Sequence, residues 1–321
     1  MYLLPLGGPI KSTIKSTMIF RCLLRLYLMW IVSASVAAVA DASMPARQGG
    51  VARIPISIPN LSGQPNAVTC HWDEKPVACF RSETGWVAWV GVDLDHPEGT
   101  TPLRVAWQAG RAAGLLTYPI EVRPASFGVQ TLTVPKEKDD LSAETLKRIQ
   151  KEAALFTALW DSQGDRQYGP PRWVEPFIVP VSGRPSGTFG RRRIINALPR
   201  NPHTGEDIPA SSGTPVAASN AGVVVLTGAF YFNGNSVVID HGAGLFSMYF
   251  HLRDMAVAQG EAVARGAVVG HVGQSGRATG PHLHWGARLG GARVDPFSLV
   301  EIQDTPFLAH EGDPTGRLYK P

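Results

Sequence analysis

Residues 280–285 read G-P-H-L-H-W, and this short run decides how the rest of the chain is interpreted. His282 and His284 stand two apart in a strand-like segment. Because side chains alternate across a strand, both imidazoles are expected on the same side of a sheet. The run therefore predicts a sheet face that presents two histidines to a common site.

A second motif supplies further polar groups of the same kind. Residues 202–207 read P-H-T-G-E-D and contribute His203 and Asp207. Two imidazoles with one carboxylate are a usual ligand set of a catalytic zinc, which keeps a fourth position for water. His251, in M-Y-F-H-L, follows another strand-like run and is a fifth candidate. The motifs together predict a metal site assembled from separate parts of the chain.

The two histidine motifs belong to a series of six motifs between residues 180 and 296. They are P-V-S-G-R-P-S-G-T-F-G-R-R (180–192), P-H-T-G-E-D-I (202–208), G-T-P-V-A-A-S-N-A-G-V-V (213–224), N-S-V-V-I-D-H-G (235–242), M-Y-F-H-L (248–252) and G-Q-S-G-R-A-T-G-P-H-L-H-W (273–285). On these motifs the chain resembles the lysostaphin-type, LytM-like zinc metallopeptidases, which cut peptide bonds in bacterial cell walls. One departure is Gly286, where many relatives carry glutamate after the last histidine; it removes no ligand, so we expect it to affect local packing.

The resemblance implies a role for each of the five polar residues. It implies that His203, Asp207 and His284 bind one zinc ion per chain, and that His251 and His282 stand unliganded beside the metal water. We expect His282 to orient or deprotonate the water and His251 to help stabilise the intermediate, although the two roles could be exchanged. The resemblance also implies an antiparallel β-sheet with the metal in a groove.

Three residues near these motifs are candidates for substrate contact in that groove. They are Phe189, Arg191 and Tyr249. Arg191 could bind a carboxylate of an acidic stem peptide. Alternatively, it belongs to a solvated run of three arginines.

The amino terminus has the pattern of a secretory signal peptide. Within residues 1–40, four basic residues precede an apolar run at 26–39, and A-V-A ends at Ala40 as a small-residue cleavage site. This predicts a periplasmic or secreted protein that starts at Asp41 and keeps no stable membrane span. The alternative is an uncleaved membrane anchor, and the translation start is either Met1 or Met18.

The charge balance argues against a nucleic-acid partner. The chain has 30 Lys and Arg against 26 Asp and Glu. Four of the basic residues lie in residues 1–40, which hold no acidic residue, so the remainder is formally neutral. A neutral chain carries no electrostatic signature of nucleic-acid binding.

The two cysteines beyond the leader suggest a disulfide. Cys70 and Cys79 flank H-W-D-E-K-P-V-A, which predicts a hairpin. An even pair in an exported protein favours a bond between them.

The remaining sequence patterns predict a mainly β protein in several parts. Short apolar alternations broken by Gly and Pro indicate a small β-sandwich-like domain, and similar patterns return in the carboxy-terminal part. Between them, helical spacing after an N-cap at Ser142 predicts a connector helix, with an apolar face made of Leu146, Ile149, Ala153, Phe156 and Leu159. The expected parts are a signal peptide at 1–40, an N-terminal β domain at 41–134, a helical connector at 135–170, a barrel-like LytM-type metallopeptidase domain at 171–300 and a tail at 301–321.

The function that agrees best with these observations is an exported zinc endopeptidase acting on peptidoglycan cross-links or stem peptides. One alternative is a catalytically weak or latent module that binds cell wall and regulates an amidase. That alternative predicts missing ligands, whereas all of them are present. The other alternative is a general secreted protease of the elastase-like kind, which would share the site and differ in substrate. A regulatory or activating protein partner is left open.

Overall fold

The computed structural model of the protein describes residues 38–39, 43–58, 65–82, 85–133, 142–161 and 168–302. The predicted leader, apart from Ala38–Val39, and nearly all of the predicted tail lie outside these residues. Within them the chain is mainly β, as predicted, with two large sheets, one small sheet and two helices. Neither of these two helices is long and apolar enough to cross a membrane.

The amino-terminal unit is an eight-stranded sheet that folds over itself. Its strands are β1 (Ala38–Val39), β2 (Met44–Arg47), β3 (Val51–Ile56), β4 (Ala67–Trp72), β5 (Lys75–Ser82), β6 (Gly85–Gly91), β7 (Gly99–Ala109) and β8 (Ala112–Arg123). Their order is β1-β8-β7-β4-β5-β6-β3, and β2 pairs with β8. β5 pairs first with β4 and then with β6, so the two halves of the sheet enclose one apolar core. This arrangement confirms the sandwich-like prediction.

The predicted hairpin around the cysteines is present, and the disulfide between them stays a prediction. The turn between β4 and β5 places Asp73 and Glu74 at positive φ of 51° and 59°. Cys70 lies opposite Val77, and both cysteines are free thiols. Cys79 lies beyond the point where β5 leaves β4, and its thiol contacts the Val68 carbonyl oxygen at 3.5 Å. Burial raises the pKa of the Cys70 thiol, and contact with the Cys79 thiol raises it further, so the two cysteines lie side by side in the hairpin.

The carboxy-terminal unit is a nine-stranded antiparallel sheet coiled around its own core. Its strands are β12 (Gly205–Pro209), β13 (Pro215–Ala217), β14 (Gly222–Phe230), β15 (Gly234–Asp240), β16 (Leu245–Met255), β17 (Ala262–Val263), β18 (Val268–Val272), β19 (His282–Leu289) and β20 (Ala292–Val294). The order is β12-β19-β16-β15-β14-β17, with β18 joining β13 to β16 and β20 on β19. A short helix, α2 (Phe297–Glu301), follows. The central strands β16 and β19 are the ones that bring the histidine motifs together.

A small sheet lies between the two units in sequence. β9 (Val129–Leu132) pairs in parallel with β10 (Arg192–Ile195), which pairs in turn with β11 (Leu198–Arg200). Arg192 on β10 forms an ion pair with Asp95 of the amino-terminal unit. The segment just before the first histidine motif is thereby held against the sandwich.

The two large sheets share a buried apolar interface. Trp89 of β6 packs against Trp173 at 5.2 Å between ring centroids, and both belong to a cluster that includes Leu289 of β19. Asp93 accepts three hydrogen bonds from Arg293, two from the guanidinium and one from the backbone N–H. The sandwich is therefore packed directly behind the strands that present the histidines.

The connector contains one helix, α1 (Ala143–Asp161). Ser142 Oγ accepts the Thr145 N–H at 3.1 Å, which confirms the predicted N-cap. Its apolar face packs on the outer side of the carboxy-terminal sheet through Phe156, Leu159 and Trp160, which contact a cluster that includes Phe250. Leu146, predicted on this face, is 45% exposed, so the packed face begins further along the helix than the spacing suggested.

Candidate metal centre

Strand register places the second motif beside the first. β12 and β19 are antiparallel, and Asp207 stands directly opposite His284. Directly opposed residues have Cβ atoms about 5 Å apart, which is within reach of side-chain contact. Gly205 of the H-T-G-E-D motif is required by this pairing, because a Cβ there would lie 2.5 Å from His284 Nε2. A glycine at this position thus leaves the space that the His284 ring occupies.

The three predicted ligands converge in the structure. His203 Nε2 lies 2.9 Å from His284 Nδ1 and 3.2 Å from Asp207 Oδ1. His284 Nδ1 lies 3.0 Å from Asp207 Oδ1. A tetrahedral zinc with bonds of about 2.1 Å has ligand atoms about 3.4 Å apart. Three donor atoms so spaced fit one such ion with a small outward movement.

Burial and mutual contact set the charge state of these groups. Burial raises the pKa of Asp207, but hydrogen bonds with His203 and His284 outweigh it and hold this pKa well below its usual range. Burial lowers the pKa of His284 to about 4, against the opposing effect of Asp207. At neutral pH the site therefore offers an ionised carboxylate and an uncharged His284 imidazole, which are the forms that bind a metal.

A loop before the first motif orients His203. His203 Nδ1 lies 3.2 Å from the Thr188 carbonyl oxygen, which leaves Nε2 to face the other two donors. Buried Glu206 accepts the backbone N–H groups of Thr188 and Phe189 at 2.9 and 3.0 Å. Glu206 thus points away from Asp207 and organises the loop that holds His203. The only sign of this role in the sequence is an acidic residue next to a predicted metal ligand, where contacts that orient the ligands are common.

The remaining two histidines face the same site. The ring centroids of His251 and His282 are 4.8 Å apart, and His282 Nε2 lies 3.7 Å from Asp207 Oδ1. His251 Nδ1 donates to the Ser275 carbonyl oxygen, and His282 Nδ1 donates to the Gly280 carbonyl oxygen, both at 2.8 Å. Both rings consequently leave Nε2 without the proton in the neutral form, ready to accept one. Burial is the main cause that lowers the pKa of His251.

Two predicted substrate contacts are wrong, because the side chains are buried. Tyr249 is fully buried, and its hydroxyl accepts the Ser219 N–H at 2.7 Å and lies 2.9 Å from Ser247 Oγ. Phe189 is buried and packs edge-on against Phe127, with centroids 5.8 Å apart. Both residues support the walls of the site and do not line it.

Two arginines of the 191–193 run lie near the site in different ways. Arg191 is half-buried, and its guanidinium lies 3.5 Å from the Ser186 carbonyl oxygen. Two residues on, burial lowers the pKa of Arg193 while the charge of Asp207 raises it. Arg192, between them, turns to the opposite side and contacts Asp95. A role of Arg191 in substrate binding stays a prediction.

Comparison with known proteins agrees with this geometry. The sequence model described as peptidase family M23 matches residues 201–296, which contain all five polar residues. A crystal structure described as a putative peptidase M23 from Pseudomonas aeruginosa is 34% identical, with a TM-score of 0.60 over 79% of this chain and 94% of that one.

The chain belongs to peptidase family M23.

Curated M23 relatives share part of their length with this chain. The DD-carboxypeptidase/endopeptidase Mpg of Neisseria meningitidis serogroup B is 42% identical over 127 residues, covering 40% of this chain and 29% of the relative. The peptidoglycan DD-endopeptidase ShyA of Vibrio cholerae is 39% identical over 127 residues, covering 39% of this chain and 29% of the relative. The chain therefore aligns with under a third of the length of these relatives.

The structure explains the departure at Gly286. This residue pairs with Gly205 on one side and Met248 on the other. A Cβ at this position would lie 2.8 Å from the Met248 terminal methyl carbon. The glycine in this chain therefore leaves room for the end of the Met248 side chain, and the donor set is unaffected.

Proposed function

We propose that this protein is an exported zinc metalloendopeptidase that hydrolyses peptide bonds in peptidoglycan. The observation that carries the proposal is the cluster of His203, Asp207 and His284, in which both histidines are buried, Asp207 is half-buried, and the donor atoms all lie within 4.8 Å of one another. Two further imidazoles, His251 and His282, flank this cluster. M23 membership and relatives named for peptidoglycan hydrolysis support the same reading.

The donor chemistry favours zinc as the metal. Two imidazoles and one carboxylate match a catalytic zinc site with one position left open. When bound, the ion would supply a Lewis acid and acidify a water molecule near neutral pH. His203, Asp207 and His284 would hold one ion per chain, and the contact of His203 with Thr188 would set its ring orientation.

The flanking histidines are suited to proton transfer. We assign His282 to orient the attacking water and to accept its proton at Nε2, because this nitrogen lies beside Asp207. Once protonated, a ring of this kind can donate to the oxygen of the tetrahedral intermediate or to the departing nitrogen. We assign the stabilising role to His251, whose Nε2 faces the same space. Loss of either ring should reduce the rate by about 10²- to 10⁴-fold.

The rest of the chain supports a role outside the cytoplasm. The sequence pattern at residues 1–40 is that of a signal peptide, and peptidoglycan is an extracytoplasmic substrate. We propose that residues 41–134 form the amino-terminal domain, 135–170 the connector and 171–300 the metallopeptidase domain. The buried interface at Trp89 and Trp173 supports a fixed relation between the first and last of these.

The proposal is tested by metal content together with product analysis. The protein without its leader should carry about one zinc per chain, and mass spectrometry should show that cross-linked muropeptides become uncross-linked. His284→Ala should lose both zinc and activity, whereas His71→Ala, an exposed histidine of the sandwich, should keep both. Cleavage of a glycine-rich protein with no cleavage of muropeptides would contradict the substrate assignment. Full activity of His284→Ala would contradict the site.

A further inference from the structure

His251 is held in a conformation that its own sequence does not favour. Its φ is +61°, in the left-handed region that non-glycine residues rarely adopt. Two contacts from other segments hold it there. Its backbone N–H donates to the Asn233 carbonyl oxygen at 2.8 Å, and its ring Nδ1 donates to the Ser275 carbonyl oxygen at 2.8 Å. The direction of the His251 ring therefore depends on where Asn233 and Ser275 stand.

These two supporting segments are linked to each other. Ser275 Oγ accepts the Asn235 N–H at 2.8 Å and donates to the Leu252 carbonyl oxygen at 2.6 Å. The Arg277 N–H donates to the Phe232 carbonyl oxygen at 2.9 Å, and the Arg277 guanidinium lies 4.6 Å from the centre of the Phe232 ring. The turn between β14 and β15 and the loop before β19 consequently form one unit. A shift of the turn would move both supports of His251.

Helix α1 holds this turn from the outside. Glu152 Oε2 accepts the Tyr231 N–H at 2.8 Å, and Glu152 Oε1 accepts Arg148 Nε at 2.6 Å. Arg148 also donates to the Ala229 carbonyl oxygen at 3.2 Å. The Glu152 side chain is 16% exposed, so its bond to the turn is largely shielded from water. The hydrogen bond from Tyr231 to Glu152 therefore fixes the backbone of the turn to the helix.

Aromatic contacts also link helix α1 to the metal ligand His284. Phe156 of α1 packs against Phe230 at 5.0 Å and against Phe250 at 5.8 Å between centroids. Phe250 in turn lies flat on the His284 ring, at 5.4 Å and 6°. One helix face thus supports the turn through Glu152 and the residue next to His251 through Phe156.

We propose that Glu152 is a positioning residue for the reaction, and that α1 sets the orientation of His251 through the 230–234 turn. The proposal rests on the proposed function, since it assumes that His251 stabilises the reacting groups. Removing the Glu152 carboxylate would free the Tyr231 N–H and loosen the turn. A misplacement approaching 1 Å at His251 would lower the rate by roughly 10- to 100-fold. The metal ligands lie on other strands or are held by other contacts, so they would stay in place.

The test compares Glu152→Ala with two matched variants. Glu152→Gln keeps an oxygen that can accept the Tyr231 N–H, and Glu144→Ala removes an exposed glutamate from the first turn of the same helix. We expect Glu152→Ala to lower kcat by roughly 10- to 100-fold on a soluble cross-linked muropeptide, with KM and zinc content unchanged. Glu152→Gln should keep most of the activity, and Glu144→Ala should match the unmodified protein.

Hydrogen exchange provides a readout that does not depend on activity. In Glu152→Ala the amides of Tyr231 and His251 should exchange faster, while that of Asp207 should not change. Unchanged exchange at His251, or unchanged kcat, would overturn the proposal, as would a fall in kcat that parallels a loss of zinc. If Glu152→Ala does not fold, Arg148→Leu tests the same clamp, with a smaller loss of kcat and faster exchange at Tyr231 expected. Should the unmodified protein cleave no muropeptide, the proposed function fails, while the exchange measurement still decides whether α1 controls His251.

Discussion

Substituting Gly205 by alanine tests whether close strand packing builds the metal centre. The added Cβ would lie 2.5 Å from His284 Nε2 and 2.6 Å from the Trp285 carbonyl oxygen. Ordinary contact begins near 3.4 Å, so the ring or the strand must move by about 0.9 Å. The backbone at Gly205 does not have a positive φ, so the effect comes from this contact and not from backbone strain.

A displacement of this size should weaken both metal binding and catalysis. Changes to groups that hold a metal ligand typically cost about 10- to 100-fold in affinity, which corresponds to about 1.4–2.7 kcal/mol. A ligand moved by about 1 Å should also cost roughly 100-fold in rate. We expect zinc affinity, measured by competition with a chromophoric chelator, to fall within this range for Gly205→Ala.

The control is Gly169→Ala, which has no atom within 4 Å of its added Cβ. This variant should bind zinc as the unmodified protein does, and thermal melting should show that both variants fold. Zinc affinity of Gly205→Ala within twofold of the unmodified protein would refute the reasoning. It would mean that the His284 ring can accommodate a methyl group at position 205 without moving.

Three further predictions concern the interface and the buried polar groups. Asp93→Ala removes the acceptor of three Arg293 hydrogen bonds, although the Nη2 group keeps Asp95 as a second partner. It should lower the free energy of unfolding by about 2–3 kcal/mol in urea titrations. Glu74→Ala, which breaks an exposed pair, should cost about 0.5 kcal/mol or less. Trp173→Ala should cost about 3–5 kcal/mol because it empties the centre of the interface, and a fully stable variant would contradict the shared core. Burial lowers the pKa of His241 to about 4, so the unfolded chain binds the extra proton first and stability is lost as the pH falls from about 6.5 towards 4. Burial raises the pKa of Asp295 to about 6, so this group stabilises the fold as the pH falls and opposes the His241 effect. The His241 contribution is therefore measured as a difference: between pH 7.5 and 5 the unmodified protein should lose about 2 kcal/mol more stability than His241→Gln. An equal pH dependence in both proteins would contradict the prediction.

Sequence patterns predicted the part of the site that local geometry controls. His282 and His284 are two apart on β19, and strand alternation alone is enough to place them on one side. The structure agrees, since both rings approach Asp207. By contrast, nothing within the motif N-S-V-V-I-D-H-G shows that His241 lies fully buried between the Ala221 carbonyl oxygen and Ser247 Oγ, both at 2.7 Å.

The same alternation fails on β16. Tyr249 and His251 are also two apart, which places them on one side of a regular strand. At His251, however, φ becomes +61°, and the pairing register shifts after Leu252. Tyr249 stays in the core, whereas His251 turns towards His282. No glycine marks this position, so the sequence carries no local sign of the irregularity.

The sequence by itself determined the chemistry of this protein: the donor types, their spacing within each motif, and the mainly β character of both units. Only the tertiary structure decided which side chains meet. It buried Tyr249 and Phe189, and it brought Glu152 of helix α1 against the backbone of the 230–234 turn. The physical reason is that alternation and turn chemistry act over a few residues. Register between distant strands, by contrast, is set by the packing of the whole core.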